Sequence, residues 1–445
     1  VALRRVLGGV DAAWLVAGNM VGAGIFVTPG IVAGHLPGAA WSLAAWLLGG
    51  LLALAGAAVY GELGARLPHA GGDYRYLSAA FGPRWGFLSG WAAFTLTFSA
   101  SAAALAIAAA EHFRKALPAL ERLPAAATTV TAAALILALT AANAAGARVA
   151  SRVTAALTGT AVAGLFLLFG LGLAARSTAV LWPQESLAAP ADPWPLALGA
   201  AMIPIFFTYS GWNAAAYVAG EIDEAPRNLP RALLAGTGLV TLLYLAINAA
   251  LLATVPAAAL AGSATAGSEA ARRLLGPGAE LVLSGLIAVA ILGSANVTLM
   301  AGARIYYAMA ADSLAPARLA CVSRAGVPGA ALWAGGVWSA LLAATGTFSR
   351  LVSWATLAML LLSSLTVAGV FVMRARRPGG LPYRCPGYPL TPLAYLAASL
   401  AIVAACAISD PWSALVGLLI VASGLIVYIP LRSSRSRTDA SPSAR

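Results

Sequence analysis

Charge is scarce in this chain. Only 9% of its 445 residues are Asp, Glu, Lys or Arg and 61% are hydrophobic, whereas about 25% of a typical soluble chain is charged. Together with a mean hydropathy of +0.86, this excludes a soluble multidomain protein. Lysine is reduced to one residue, Lys115, so the net charge of +12 is carried almost wholly by arginine. Cysteine occurs at Cys321, Cys385 and Cys406, with no C-x-x-C spacing. That leaves neither a zinc knuckle nor a disulfide framework, and isolated thiols of this kind pack as small hydrophobes. Histidine is as sparse: His35, His69 and His112 sit at the ends of apolar runs. No HExxH, paired aspartate or Ser/His arrangement accompanies them, so a membrane-embedded enzyme lacks its catalytic constellation. No metal site and no cofactor are expected.

Long apolar runs are what the chain has instead. A helix needs about 20 residues to cross about 30 Å of hydrocarbon. Twelve runs are near or above that length, at 10–34, 41–66, 84–111, 124–145, 151–175, 193–220, 229–255, 279–309, 328–346, 350–373, 390–408 and 411–431. The first follows Arg4 and Arg5 in the manner of a signal peptide, but it is too long for one and is read as retained. With the N-terminus in the cytoplasm, 20 of the 27 Lys and Arg fall on the cytoplasmic side and 7 on the other. The positive-inside rule then places both termini in the cytoplasm of a multi-pass cell (plasma or inner) membrane protein. The basic residues therefore report topology, and no nucleic acid is expected as a partner. The chain reads as one transmembrane domain over 1–432, with a Ser/Arg-rich cytoplasmic tail over 433–445 expected to be disordered.

Two runs are interrupted. Residues 19–26, Asn-Met-Val-Gly-Ala-Gly-Ile-Phe, place Gly22 and Gly24 inside the first span, and residues 207–213, Phe-Thr-Tyr-Ser-Gly-Trp-Asn, break the sixth. Hydrocarbon offers no hydrogen-bond partner, so freed backbone persists there only where it lines a polar cavity or meets a ligand. A separation of five spans gives two repeats, about 10–175 and 193–373, followed by two extra helices over 390–431. Because five is odd, the second repeat enters the membrane from the opposite side and the repeats are inverted. At the first break, the helix restarting near Ile25 offers unpaired N–H groups and a positive dipole end, which suit a carboxylate. At the second, unwinding at Ser210-Gly211 frees carbonyl oxygens suited to an ammonium. An α-amino acid carries both groups. The bland alternative is that these small residues only let helices pack closely.

Several motifs join these breaks into a familiar pattern. Asn19 to Phe26, Tyr60-Gly61-Glu62-Leu63, Pro68-His69-Ala70-Gly71-Gly72-Asp73-Tyr74, Tyr209-Ser210-Gly211-Trp212-Asn213 and Pro226-Arg227-Asn228-Leu229-Pro230-Arg231 resemble the amino acid–polyamine–organocation superfamily, nearest its L-amino acid transporter-like branch. Gly293-Ser294-Ala295-Asn296 with Arg304, and Leu381-Pro382-Tyr383-Arg384-Cys385-Pro386-Gly387-Tyr388-Pro389, extend the likeness over nearly the whole chain. The resemblance implies an all-α leucine-transporter-type fold of twelve helices with the first and sixth broken. It also implies carboxylate capture by the amides of Ala23 and Gly24, amine capture by the carbonyls of Met20, Phe207 and Ser210, and Phe207 as an aromatic lid. Val21, Gly22, Ile25, Thr208, Tyr209 and Gly211 belong to the same stretches, and Asn296 is a candidate polar member of the pocket, with an interhelical hydrogen bond to backbone as its other reading.

The chain departs from the family at two positions. Many members carry a lysine in the fifth span about nine residues after the arginine matching Arg152, where it serves as proton carrier or sodium substitute; here that position is Ala161. Where relatives place a serine beside the arginine of the eighth span, this chain has Ala303. Neither a lysine mechanism nor a complete sodium site is implied, which favours exchange or facilitated movement over proton symport. Thr158 and Thr160 remain as oxygen donors, with back-bonding to their own helix as the commoner role.

Substrate class follows from the acids. Glu62 and Glu221 lie near the cytoplasmic ends of the second and sixth spans, as gate candidates or as plain interfacial carboxylates. The other thirteen acids, Asp73 among them, fall at span ends or in loops. An intramembrane acid would mark a cationic substrate; its absence points to small neutral L-amino acids, with a cationic amino acid or polyamine antiporter as the alternative. The lipid bilayer and the amino acid are the expected partners, proton coupling stands second, and no obligatory protein partner is evident.

Overall fold

The computed structural model describes residues 7–439 apart from Ala23, Pro37, Ala70, Ala125, most of 147–191, parts of 256–275, Ala325 and 377–378. Among the described residues the chain is helical and contains no strand, only one isolated parallel bridge between Leu7 and Ile222. Eight helices are long and apolar enough to cross a membrane singly. The pair α1 (Gly9–Met20) and α2 (Gly24–His35) forms a further, broken span, while α8 (Trp194–Tyr209) and α12 (Gly329–Thr345) are apolar but shorter. These account for eleven of the twelve expected spans. The remaining one, 151–175, lies mostly outside the described residues, as do Ala161 and Thr158. Thr160 is described, and its hydroxyl bonds back to the carbonyl of Ala156 at 2.9 Å.

The other long elements are α3 (Ala39–Arg66), α6 (Phe98–Ala116), α7 (Ala126–Ala144), α10 (Ala225–Thr254), α11 (Pro277–Ala311), α13 (Phe348–Arg376), α14 (Leu390–Ser409) and α15 (Pro411–Asp439). The shorter α4 (Asp73–Phe81) and α5 (Pro83–Ala92) lead into α6, and α9 (Ala214–Tyr217) follows the second break. Such sequences must be helical because only a helix satisfies its own backbone within lipid. Packing joins counterparts of the two halves: α3 lies along α10 and α6 along α11. The first half of each broken span also takes the same kind of neighbour, α1 against α10 and α8 against α3. That reciprocity is what two inverted repeats produce. Finally, α15 keeps helical backbone to Asp439, beyond residue 432 where the sequence places the start of a tail; no glycine or proline after Pro430 interrupts it.

One interruption was not anticipated from the sequence. Between α5 and α6, Ala93–Thr97 forms a π-helical segment, a local widening that frees carbonyls and recurs at functional sites. Side chains from the second repeat take up those groups. Tyr306 of α11 donates to the carbonyl of Ala93 at 3.2 Å, and Trp338 of α12 donates to that of Thr95 at 3.1 Å.

Candidate substrate site

The two breaks face each other. α2 packs along α8 and α1 against α9, so each broken span lies beside the other with its gap at the same level. A Cβ on Gly24 would stand 2.3 Å from Oγ1 of Thr208, and one on Gly211 would stand 2.6 Å from Nδ2 of Asn19. The threonine hydroxyls of Thr28 and Thr208 lie 2.7 Å apart and Thr208 also donates to the carbonyl of Pro204 at 2.7 Å, closing the contact below the gap. Gly211 holds φ at +96°, a conformation open to glycine and strained for other residues. Here the helix leaves its axis.

Around the breaks lies a partly open cleft, the kind of concave site that small ligands take. Met20, Gly22 and Gly24 line it from the first span, and Phe207, Thr208, Ser210 and Gly211 from the sixth. Gly24 is the first residue of α2, so its N–H has no partner inside its own helix. Ser210 turns its N–H back to the carbonyl of Phe207 at 3.0 Å. The carbonyl of Met20 accepts the hydroxyl of Tyr244 at 2.5 Å, and the same hydroxyl is 3.4 Å from the carbonyl of Thr208. Tyr244, on α10, thus braces both breaks, a role carried by no motif around it. Each of these carbonyls keeps a second lone pair.

Phe207 lines the cleft and meets Phe348 edge to face, with ring centroids 6.4 Å apart. Phe348 opens α13, whereas Thr366, eighteen residues further along that helix and hence roughly 27 Å away, bonds to Asp73. The aromatic pair and Asp73 therefore mark opposite ends of the cleft.

Other predicted residues stand apart from it. Ala23 falls outside the described residues. Val21 and Ile25 are buried without lining the cleft. Tyr209 points away into a cluster with Trp46 and Tyr244, its hydroxyl donating to the carbonyl of Trp46 at 3.1 Å. Asn296 also lies off the cleft: its Oδ1 accepts from Nδ2 of Asn143 on α7 at 2.7 Å. A polar side chain in a transmembrane helix seeks a partner across a helix interface, and Asn143 supplies it.

The gate candidates are ion-paired. Glu62 is fully buried and bonded to Arg66 at 2.8 Å, to Arg374 and to the backbone N–H of Cys385 at 2.8 Å. Glu221 meets Arg304 at 3.3 Å. Its backbone pairs with Leu7, whose N–H donates to the carbonyl of Glu221 at 3.0 Å.

Asp73 overturns the expectation that no acid reaches the site. Although it lies in the segment joining two spans, its side chain lines the cleft. Gly71 and Gly72, both at positive φ, fold that segment inward against Tyr217. Spacing along the chain gives no sign of this, because the contact partners are 144 and 293 residues away.

Nearly the whole chain matches a known pattern. The model of the amino acid permease family fits residues 7–431. The chain is 29% identical to human Asc-type amino acid transporter 1, over 96% of this chain and 82% of that protein. It is 28% identical to the human large neutral amino acids transporter small subunit 2, over 96% and 80%, and 28% identical to the mouse b(0,+)-type amino acid transporter 1, over 96% and 88%. These relatives are transporters and not enzymes, and they share with this chain a match that runs through both helix breaks and all the described spans. A multi-pass helical membrane protein with this extent of likeness belongs to the amino acid permease family.

Proposed function

We propose that the protein moves small neutral L-amino acids across the cell membrane by alternating access. The carrying observation is that Gly24 and Ser210, at two separate helix breaks, border one cleft. A zwitterion fits between them: its carboxylate takes amides at the start of α2, where the helix dipole is positive, and its ammonium takes carbonyl lone pairs at Met20, Phe207 and Ser210. Phe207 and Phe348 shield the bound substrate from one side. Glu62 and Glu221 join helices at the opposite, cytoplasmic side, with both termini on that side.

The walls favour a neutral side chain. Phe98, Leu105, Met359 and Leu362 supply apolar surface, and Ser101 and Ser294 supply hydroxyls. The names of two relatives, Asc-type and large neutral amino acids transporters, point the same way. A cationic substrate is the second reading, favoured by Asp73 in the cleft and by the b(0,+)-type relative. Exchange comes before proton symport because position 161 is alanine.

Counterflow tests the reading. Liposomes holding the protein and unlabelled alanine should accumulate labelled alanine transiently, and serine should compete while arginine and putrescine should not. Accumulation driven only by arginine would move the assignment to the second reading.

A further inference from the structure

The acid at the end of the cleft away from Phe207 has no part in the neutral-substrate reading above. The Asp73 carboxylate gathers hydroxyl donors from three other elements: Tyr60 of α3, Tyr217 of α9 at 2.6 Å and Thr366 of α13 at 2.9 Å. Tyr217 in turn accepts from Nδ2 of Asn213 at 3.1 Å. A chain of hydrogen bonds therefore runs from the unwound stretch of the sixth span, through Tyr217, to Asp73. The connecting loop is shaped around this tyrosine. Gly71 donates its N–H to the carbonyl of Tyr217 at 3.1 Å, and a Cβ on Gly72 would stand 2.4 Å from the Tyr217 ring.

The surrounding cations are committed elsewhere. Arg75, two residues on, pairs with Asp312 at 2.7 Å; Arg304 of α11 pairs with Glu221; Arg66 of α3 and Arg374 of α13 pair with Glu62. Arg376 of α13 donates to the carbonyl of Ala79, and Arg84 of α5 is exposed. The titratable groups that do face Asp73 are tyrosines: Tyr60, Tyr76 of its own helix, Tyr217, and Tyr395 of α14. Burial pushes the Asp73 carboxyl above the usual carboxylate range, and the three hydroxyls pull it back.

We propose that Asp73 is a proton-binding site of the transport cycle, ionised while Tyr60, Tyr217 and Thr366 converge on it and protonated when those elements part. The proposal rests on the transport reading above. An ionised carboxylate can accept all three O–H groups, whereas a protonated one becomes a donor and forfeits at least one of them. Conversely, withdrawing the three donors leaves an anion in the cleft with no cation beside it among the described residues, and such an anion takes up a proton. Proton binding and movement of α9 against α3 and α13 are thereby linked in both directions. The rival ligand, a cationic substrate group, would find three of the carboxylate's roughly four acceptor sites already taken by the hydroxyls.

The test is counterflow of labelled alanine at equal pH on both sides, from about pH 5 to about pH 8, with the full chain in liposomes. The wild-type rate should change at least about threefold through one titration. Asp73→Asn should remove the titration, whatever its remaining rate. Tyr217→Phe removes a donor that favours the anion, so the midpoint should move to higher pH. If Asp73→Asn does not fold, Tyr217→Phe and Thr366→Val carry the test, and unshifted midpoints overturn the proposal. A flat wild-type profile, a wild-type profile in Asp73→Asn, or loss of arginine transport alone in that variant would also overturn it. Absence of counterflow at every pH would remove the transport reading and this inference with it, whereas flat counterflow removes this inference alone.

Discussion

The carboxylate of Glu62, in the second span, accepts the backbone N–H of Cys385, 323 residues later, at 2.8 Å. Arg374 completes the junction: it pairs with Glu62 and lays its guanidinium 3.6 Å from the ring centroid of Tyr388. One buried charge thus ties α3 to α13 and to the loop before α14. Removing one partner of a buried pair costs about 3–5 kcal/mol because the other charge stays behind. Glu62→Gln should therefore lower the thermal unfolding midpoint in detergent. Glu221→Gln should differ, because its pair with Arg304 is partly exposed, at 18% and 30%, and such pairs contribute about 1 kcal/mol or less. That variant should keep its midpoint and change transport rate more than substrate affinity. Equal transport kinetics in Glu221→Gln would remove Glu221 as a gate, and an unchanged midpoint in Glu62→Gln would remove the junction.

Close approach at the breaks gives a second prediction. Gly24→Ala would drive its Cβ to within 2.6 Å of Oγ1, Cβ and Cγ2 of Thr208, a clash that rotating the threonine cannot relieve because its Cβ is involved. The two breaks would be forced apart. Counterflow should fall by at least about tenfold, the effect of roughly 1.4 kcal/mol on a barrier, and Thr208→Gly in the same chain should restore part of it. Full activity in the single variant would show that the gap between α2 and α8 is wider than this contact.

Why some of this was legible in the sequence follows from the range over which each signal acts. The spans could be read because lipid imposes a length on each helix independently, and the breaks because Gly22, Gly24 and Gly211 act on their own backbone. The five-span separation of the breaks gave the two inverted repeats. Tyr244 and Asp73 were missed for the opposite reason. Tyr244 looks like any aromatic in an apolar run, and its function as a brace depends on Met20, 224 residues away. Asp73 reads as a loop acid until the loop is folded onto Tyr217. Asn296 stays open between two readings in the sequence because a polar residue inside a span looks the same whether it faces a cleft or another helix; only the position of Asn143 decides, and the partner is a side chain instead of backbone.

That contact yields a third prediction. Interhelical hydrogen bonds in membrane proteins contribute about 0.6 kcal/mol on average and up to about 1.7. Asn296→Ala should lower stability by about 1 kcal/mol while leaving the half-saturation for alanine unchanged. Asn143→Ala should do the same, and the double variant should cost less than the sum of the two. A marked loss of substrate affinity in Asn296→Ala alone would put that side chain back in the pocket.

Orientation in the membrane can be tested with the cysteines as they stand. Cys321 is exposed, while Cys385 and Cys406 are buried, and burial together with the charge of Glu62 pushes the Cys385 thiol up to about 11. A maleimide needs access as well as thiolate, so exposure makes Cys321 the target and burial withholds Cys385 and Cys406. It lies in the segment between α11 and α12, a cytoplasmic one if the excess of arginine sets the topology. An impermeant maleimide should therefore label inside-out vesicles and spare right-side-out ones, and Cys321→Ser should abolish the signal. Labelling of right-side-out vesicles at Cys321 would invert the whole chain, and with it the assignment of Glu62, Glu221 and Asp73 to the cytoplasmic side.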